Sequence, residues 1–206
     1  MTTALIVVDV QNDFCSGGSL AVPDAEAILP AVHRAMDAVD LVVATQDWHP
    51  SDHGSFAANQ PGRKPFDLGE LAGAPQVLWP VHCVQWTAGA CFHPGLDTRR
   101  LARVFPKGTD ATVDSYSGFF DNQRRRATGL DAWLRGQGVD AVHLVGLATD
   151  YCVKATALDA VDLGYATTLI LPGCRGVGLG ADDIPKALET LRAAGVSIQE
   201  ELVGHG

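Results

Sequence analysis

The sequence predicts an α/β protein, a three-layer α/β/α sandwich on a mainly parallel sheet of about six strands. Two observations carry that expectation. Short runs of Val, Ile, Leu and Ala lack polar alternation, as strands covered on both faces do. Between them lie stretches of helical periodicity, bounded by Pro, Asp and Gly where helices start and stop. The chain of 206 residues, 47% hydrophobic and 19% charged, can bury a full core and is read as one domain over residues 1–206.

Taken in order, Ala4–Val8 is the first strand. Pro30 opens a helix over Ala31–Val39, and Leu41–Ala44 is the second strand. From Trp48 to Phe105 the periodicity breaks, in a stretch rich in Pro and Gly with three Trp and four His. So long a segment inside a compact domain reads as a functional loop region, here about residues 47–100. Arg103–Phe105 is a weaker strand. Asn122–Gly136, with Leu130, Trp133 and Leu134 at helical spacing, is the next helix, and Ala141–Val145 the next strand. Val153–Leu163 forms a helix ending at Gly164, followed by a strand over Thr167–Leu171. Asp182–Ala194 has an Asp cap, Pro185 in its first turn and Gly195 at its end, and Val196–Val203 closes an edge.

The net charge of −9 argues against nucleic acid and anionic membranes as partners. No apolar run approaches the roughly 18 residues of a membrane span, and Ala4–Val8 is too short for a signal-peptide core. Five cysteines without C-x-x-C spacing suit free thiols in a reducing compartment, so a cytoplasmic protein is expected.

In an open α/β sheet, ligands bind beyond the carboxyl ends of the strands. Asp9 follows the first strand, Asp47 and His49 the second, Lys107 the third, and Cys152 ends GLATDYC after the fourth. A carboxylate, a carboxylate–imidazole pair, an ammonium and a thiol thus arrive at one edge. Cys152 at a helix start is the candidate nucleophile, its thiolate favoured by the dipole; the alternative is a packed helix Cys. Asp9 beside Lys107 reads equally as a general base or as a structural ion pair. Asp47 and His49, at i and i+2, share one face of an extended segment. With His53 and with His82 in WPVHC they suit Zn, Fe or Mn. His33, His93, His143 and His205 read as structural, Asp24, Asp37, Asp40, Asp97 and Asp159 as solvated, and Arg124–Arg126 as a solvated helix face.

VDVQNDFCSGGSLAV, TQDWHPSDHGSFA, LWPVHCVQ, KGTDATVDSYSGF and GLATDYCVKATALDA together resemble the nicotinamidase branch of the isochorismatase-like cysteine hydrolases, over roughly residues 4–177. The resemblance implies hydrolysis of nicotinamide, and of pyrazinamide, through a Cys152 thioester in NAD salvage. It implies Asp9, Lys107 and Cys152 as a triad, and Asp47, His49 and His82 as ligands of one divalent ion, zinc first, with iron or manganese as alternatives. His53 matches a ligand of some members only. It further implies Phe14, Trp79, Tyr116 and Leu147 around the substrate, a cis Leu147–Ala148 peptide, and the amides of Ala148 and Cys152 as oxyanion donors. Tyr151 would tune the pocket wall, and a homo-oligomer fits the family. Another small amide or carbamoyl substrate is the rival reading. A catalytically silent metal-binding protein is a third, and a nucleotide-binding domain is weaker because no G-x-G-x-x-G follows the first strand.

Overall fold

A computed structural model describes residues 2–201. Six strands form one sheet in the order β5-β2-β1-β6-β7-β8, every pair parallel: β1 (Thr2–Val8), β2 (Leu41–Asp47), β5 (Arg103–Lys107), β6 (Val139–Leu147), β7 (Ala166–Arg175) and β8 (Ser197–Gln199). Successive residues of β1 supply both faces. Leu5 and Val7 pack with Val32, Ala35 and Met36 of α1 (Leu29–Asp37). Ala4, Ile6 and Val8 pack with Leu130 and Leu134 of α2 (Leu130–Gly136), Ala157 and Ala160 of α3 (Lys154–Asp162) and Leu191 of α4 (Asp183–Ala193). Each such buried aliphatic side chain contributes about 1.5–3 kcal/mol, so the non-alternating pattern is what a doubly covered strand needs. No described helix is long and apolar enough to cross a membrane.

β5 runs two residues beyond the apolar signal because it is an edge strand, where Pro106 costs no ladder bond that a neighbour needs. Its register sets Lys107 beside Asp47, bringing opposite charges together at the carboxyl edge.

Three expectations are corrected. The helix expected from Asn122 begins at Leu130, because the Asp121 carboxylate accepts the amides of Gln123, Arg125 and Arg126 and holds a turn instead. Arg124–Arg126 is therefore not a helix face: Arg124 pairs with Asp159 and Asp162 of α3, so Asp159 is not merely solvated, and Arg126 pairs with Asp110. The loop region also contains a short antiparallel hairpin, β3 (Leu68–Leu71) and β4 (Ala74–Val77). Of the last expected strand, Leu202 and Val203 lie outside the described residues, as does His205.

Candidate active site

The carboxyl edge of the sheet gathers the candidate groups. Asp9 stands one residue past β1, Asp47 and Lys107 end β2 and β5, and Cys152 lies in the turn Thr149–Val153 between β6 and α3. Lys107 is fully buried. Its Nζ lies 2.9 Å from Asp9 Oδ2 and 2.5 Å from Asp47 Oδ1, and donates to Ser115 O at 2.9 Å and Cys152 Sγ at 3.3 Å. Burial alone would strip its proton, but the two carboxylates outweigh burial and hold Lys107 protonated well above its usual range.

One ammonium between two buried carboxylates leaves a site short of positive charge. Burial raises Asp9, with Lys107 pulling the other way, while Thr45 Oγ1 donates to its Oδ1 at 2.6 Å. Burial also pushes on Asp47, but Lys107 and His49 together hold its carboxyl well below the usual range. Cys152 Sγ and carboxylate oxygens of Asp9 and Asp47 lie within 4.8 Å of one another. The expected dipole-stabilised thiolate is corrected: burial pushes the Cys152 thiol well up, and Lys107 offsets this only in part. The thiol therefore carries its proton at rest, beside a carboxylate whose proton affinity is also raised.

A second cluster shares Asp47. Its Oδ2 lies 3.4 Å from His49 Nε2 and 3.6 Å from His82 Nε2, all three side chains being buried. His49 Nδ1 donates to Gly108 O at 2.9 Å and His82 Nδ1 to Pro80 O at 2.8 Å. Those bonds place a proton on each Nδ1 and aim each Nε2 at the carboxylate, the orientation a metal ion requires of its histidines. Gly108 has φ +64°, and a Cβ there would strike the His49 ring. These three residues could hold a metal ion. His53 groups instead with His49 and Asp114: its ring lies 4.3 Å from that of His49, its Nδ1 meets Ser55 Oγ at 2.7 Å, and its buried Nε2 has no hydrogen-bond partner among the described residues.

Cys152, Asp47, His49 and His82 line one pocket with Phe14, Leu20, Trp79, Asp114, Tyr116, Ala148, Tyr151 and Val177, while Asp9 and Lys107 are buried and are not part of its lining. Trp79 meets Tyr151 edge-on at 4.8 Å and Tyr116 at 6.4 Å, giving an aromatic wall for a flat ring. Leu147 is corrected. It is fully buried in the core and does not line the pocket, because the last residue of β6 turns its side chain into the sheet's packing. The Leu147–Ala148 peptide is cis.

Several contributors escaped the sequence reading. Gln11 clamps Asp47 by both ends, its Oε1 accepting from Asp47 N and its Nε2 donating to Asp47 O, each at 2.8 Å. Gln76 of β4 donates to Asp114 Oδ2 and Tyr116 Oη at 2.9 Å each. The Asp150 carboxylate accepts the amides of Val177 and Gly178 at 2.9 Å each, tying the Thr149–Val153 turn to the segment that carries Val177. Gln11 stood in VDVQNDF and Asp150 in GLATDYC, but nothing in one sequence gives the partner of a buried amide or carboxylate.

Residues 3–200 match the isochorismatase domain. The nicotinamidase of Escherichia coli (strain K12) is 49% identical over 199 residues, covering 95% of this chain and 93% of its own. The Acinetobacter baumanii nicotinamidase/pyrazinamidase structure superposes with a TM-score of 0.93 at 46% identity, covering 96% of this chain and 95% of that one. The pyrazinamidase of Pyrococcus horikoshii in complex with zinc gives 0.79 at 36% identity, covering 98% and 100%.

Proposed function

The chain belongs to the isochorismatase domain family, and from that membership we propose that it is an amidohydrolase that converts nicotinamide, and pyrazinamide, to the acid and ammonia in NAD salvage. The observation that carries the reading is one pocket that Cys152, in contact with buried Lys107 and through it with Asp9, lines together with Asp47, His49, His82 and an aromatic wall. Cys152 and Asp9 are a nucleophile with a base, and Asp47, His49 and His82 could hold a metal ion.

In this reading the Cys152 S–H bond breaks toward Asp9 Oδ2 as the sulfur attacks the carboxamide carbon. Asp9, whose proton affinity burial raises, takes that proton as general base. The carbonyl oxygen becomes an oxyanion held by the amides of Ala148 and Cys152, with a contribution of about 3 kcal/mol per donor in comparable sites. Asp9 then returns the proton to the leaving nitrogen, ammonia departs, and a thioester remains. Water next gives a proton to Asp9 and attacks the thioester carbon. The C–S bond breaks, the acid leaves, and Asp9 hands the proton back to sulfur. Lys107 keeps its charge throughout and offsets the negative charge passing between Asp9 and Cys152. A divalent ion, zinc in the first instance, held by Asp47, His49 and His82 would act as a Lewis acid toward the ring nitrogen. Phe14, Trp79, Tyr116 and Tyr151 hold the ring, and His53 stays beside the ligands as a candidate fourth. We read residues 1–206 as one hydrolase domain and, from the five free thiols, as cytoplasmic.

The test is ammonia release from nicotinamide by purified protein, with metal content measured beside it. Cys152→Ala should lose turnover and keep its metal, whereas His49→Ala should lose metal and bind substrate weakly. Metal loss of equal size in both variants would sink the division of labour. Poor turnover of nicotinamide with rapid turnover of another small amide would move the substrate but keep the chemistry.

A further inference from the structure

A second set of ligating side chains converges away from the pocket, on the loop that follows β1. We propose that Cys15, Glu26 and His93 form a separate site for a thiophilic divalent cation such as zinc, its remaining positions filled by solvent. One sulfur, one carboxylate oxygen and one imidazole nitrogen lie within 4.8 Å of one another. Tetrahedral zinc, with bonds of about 2.3 Å to sulfur and about 2.0–2.1 Å to nitrogen and oxygen, sets its ligand atoms roughly 3.5 Å apart. Small rotations of Glu26 and His93, both half-buried, supply the difference, while the buried Cys15 stays in place.

The three come from segments already pinned together. Cys15 N donates to Asn12 O at 3.1 Å, and the 91–93 segment is tied alongside by Asn12 N to Cys91 O and His93 N to Val10 O, each 2.9 Å. Val22 N to Phe14 O at 2.9 Å leads into the turn Ala25–Ile28 that carries Glu26. Ser16 donates to both carboxylate oxygens of Glu26, from its amide at 2.8 Å and its hydroxyl at 3.0 Å. The carboxylate is thereby held ionised and aimed, and each oxygen keeps a lone pair. His93 would give up one long bond, the 3.1 Å donation from Gly95 N to Nδ1.

Burial and Glu26 push the Cys15 thiol up to about 11. Without an ion it is therefore a thiol; on binding, its S–H bond breaks, a sulfur lone pair forms the metal bond and one proton passes to solvent. The site shares no ligand with Asp47, His49 and His82. It borders them through Phe14, whose ring lies 5.5 Å from that of His82, and through Leu20 in the same pocket wall. A cation here would fasten the loop that carries this part of the pocket wall.

Chelator-treated full-length protein titrated with zinc(II), and separately with cobalt(II), tests the proposal. The wild type should bind one equivalent per chain more than Cys15→Ser. Its cobalt form should show a thiolate charge-transfer band that persists in Cys152→Ala and in His82→Ala and disappears in Cys15→Ser. Glu26→Gln and His93→Gln should each weaken that equivalent at least tenfold, and these variants carry the test if Cys15→Ser does not fold. Equal stoichiometry in the wild type and Cys15→Ser would overturn the site. So would a band that follows Cys152, or affinity unchanged in both Glu26→Gln and His93→Gln.

Discussion

Lys107 is the residue on which the most charge depends. Among the described residues it is the only ammonium in contact with two buried carboxylates and a thiol, and all three lose its charge when it is removed. Removing one member of a buried ion pair costs about 3–5 kcal/mol, because the remaining charge is stranded out of water. Lys107→Met, close in shape but neutral, should therefore lower the urea unfolding free energy by roughly that amount and abolish turnover. A stability equal to that of the wild type would mean that the carboxylates take up protons at little cost, and that Lys107 serves chemistry alone. The strand-edge rule points to Lys107, Asp9, Asp47 and Cys152 because each lies within about seven residues after an apolar run. The same rule could not find Thr45 or Gln11, whose roles come from partners 36 residues away that the sequence does not print.

Elements were legible where one physical cause dominated. β1, β2, β6 and β7 are buried on both faces, so their apolar runs could hardly be anything else. The start of α2 was not, because residues 122–128 carry polar side chains compatible with a helix, and a single carboxylate, Asp121, decides otherwise. Nor was the β3–β4 hairpin, whose half-exposed strands include Pro75 and lack a clean alternation. The joint between the Thr149–Val153 turn and the segment after β7 follows the same logic, since Asp150 holds Val177 and Gly178 by their amides and so sets one wall of the pocket. Hydrogen bonds to a charged acceptor contribute about 1.5–3 kcal/mol each. Asp150→Ala should free that wall and raise KM on the order of tenfold, a loss of about 1.4 kcal/mol in binding, with a smaller change in kcat. Equal falls in kcat and kcat/KM would instead mean that Asp150 positions Cys152 itself.

At the scale of the whole molecule, acid stability reports how these buried groups are balanced. Asp47 is held below its ordinary value, so its contribution is present above about pH 3.8 and is lost only in stronger acid. Asp9 is raised and acts in the opposite sense, its folded form gaining relative stability as pH falls toward that value. His53 acts in the window between, where His49, raised from 6.5 by Asp47 against the effect of burial, acts in the opposite sense. Burial, then the charge of His49, lower the His53 imidazole from 6.5 to about 4, so the folded chain prefers it neutral. That preference stabilises the fold fully above pH 6.5 and drains away as pH falls toward 4, where the unfolded chain takes up the proton first. Because Asp9 tilts the wild-type curve the other way, the informative quantity is a difference between two proteins. In chelator-treated samples, His53→Asn should lose less stability than the wild type between pH 6.5 and 4 by urea titration, and the two curves should run parallel above pH 7. Parallel curves through the whole range would show that His53 accepts a proton in the folded state as readily as in the unfolded one. Burial and the neighbouring His49 would then not disfavour the charged form of His53.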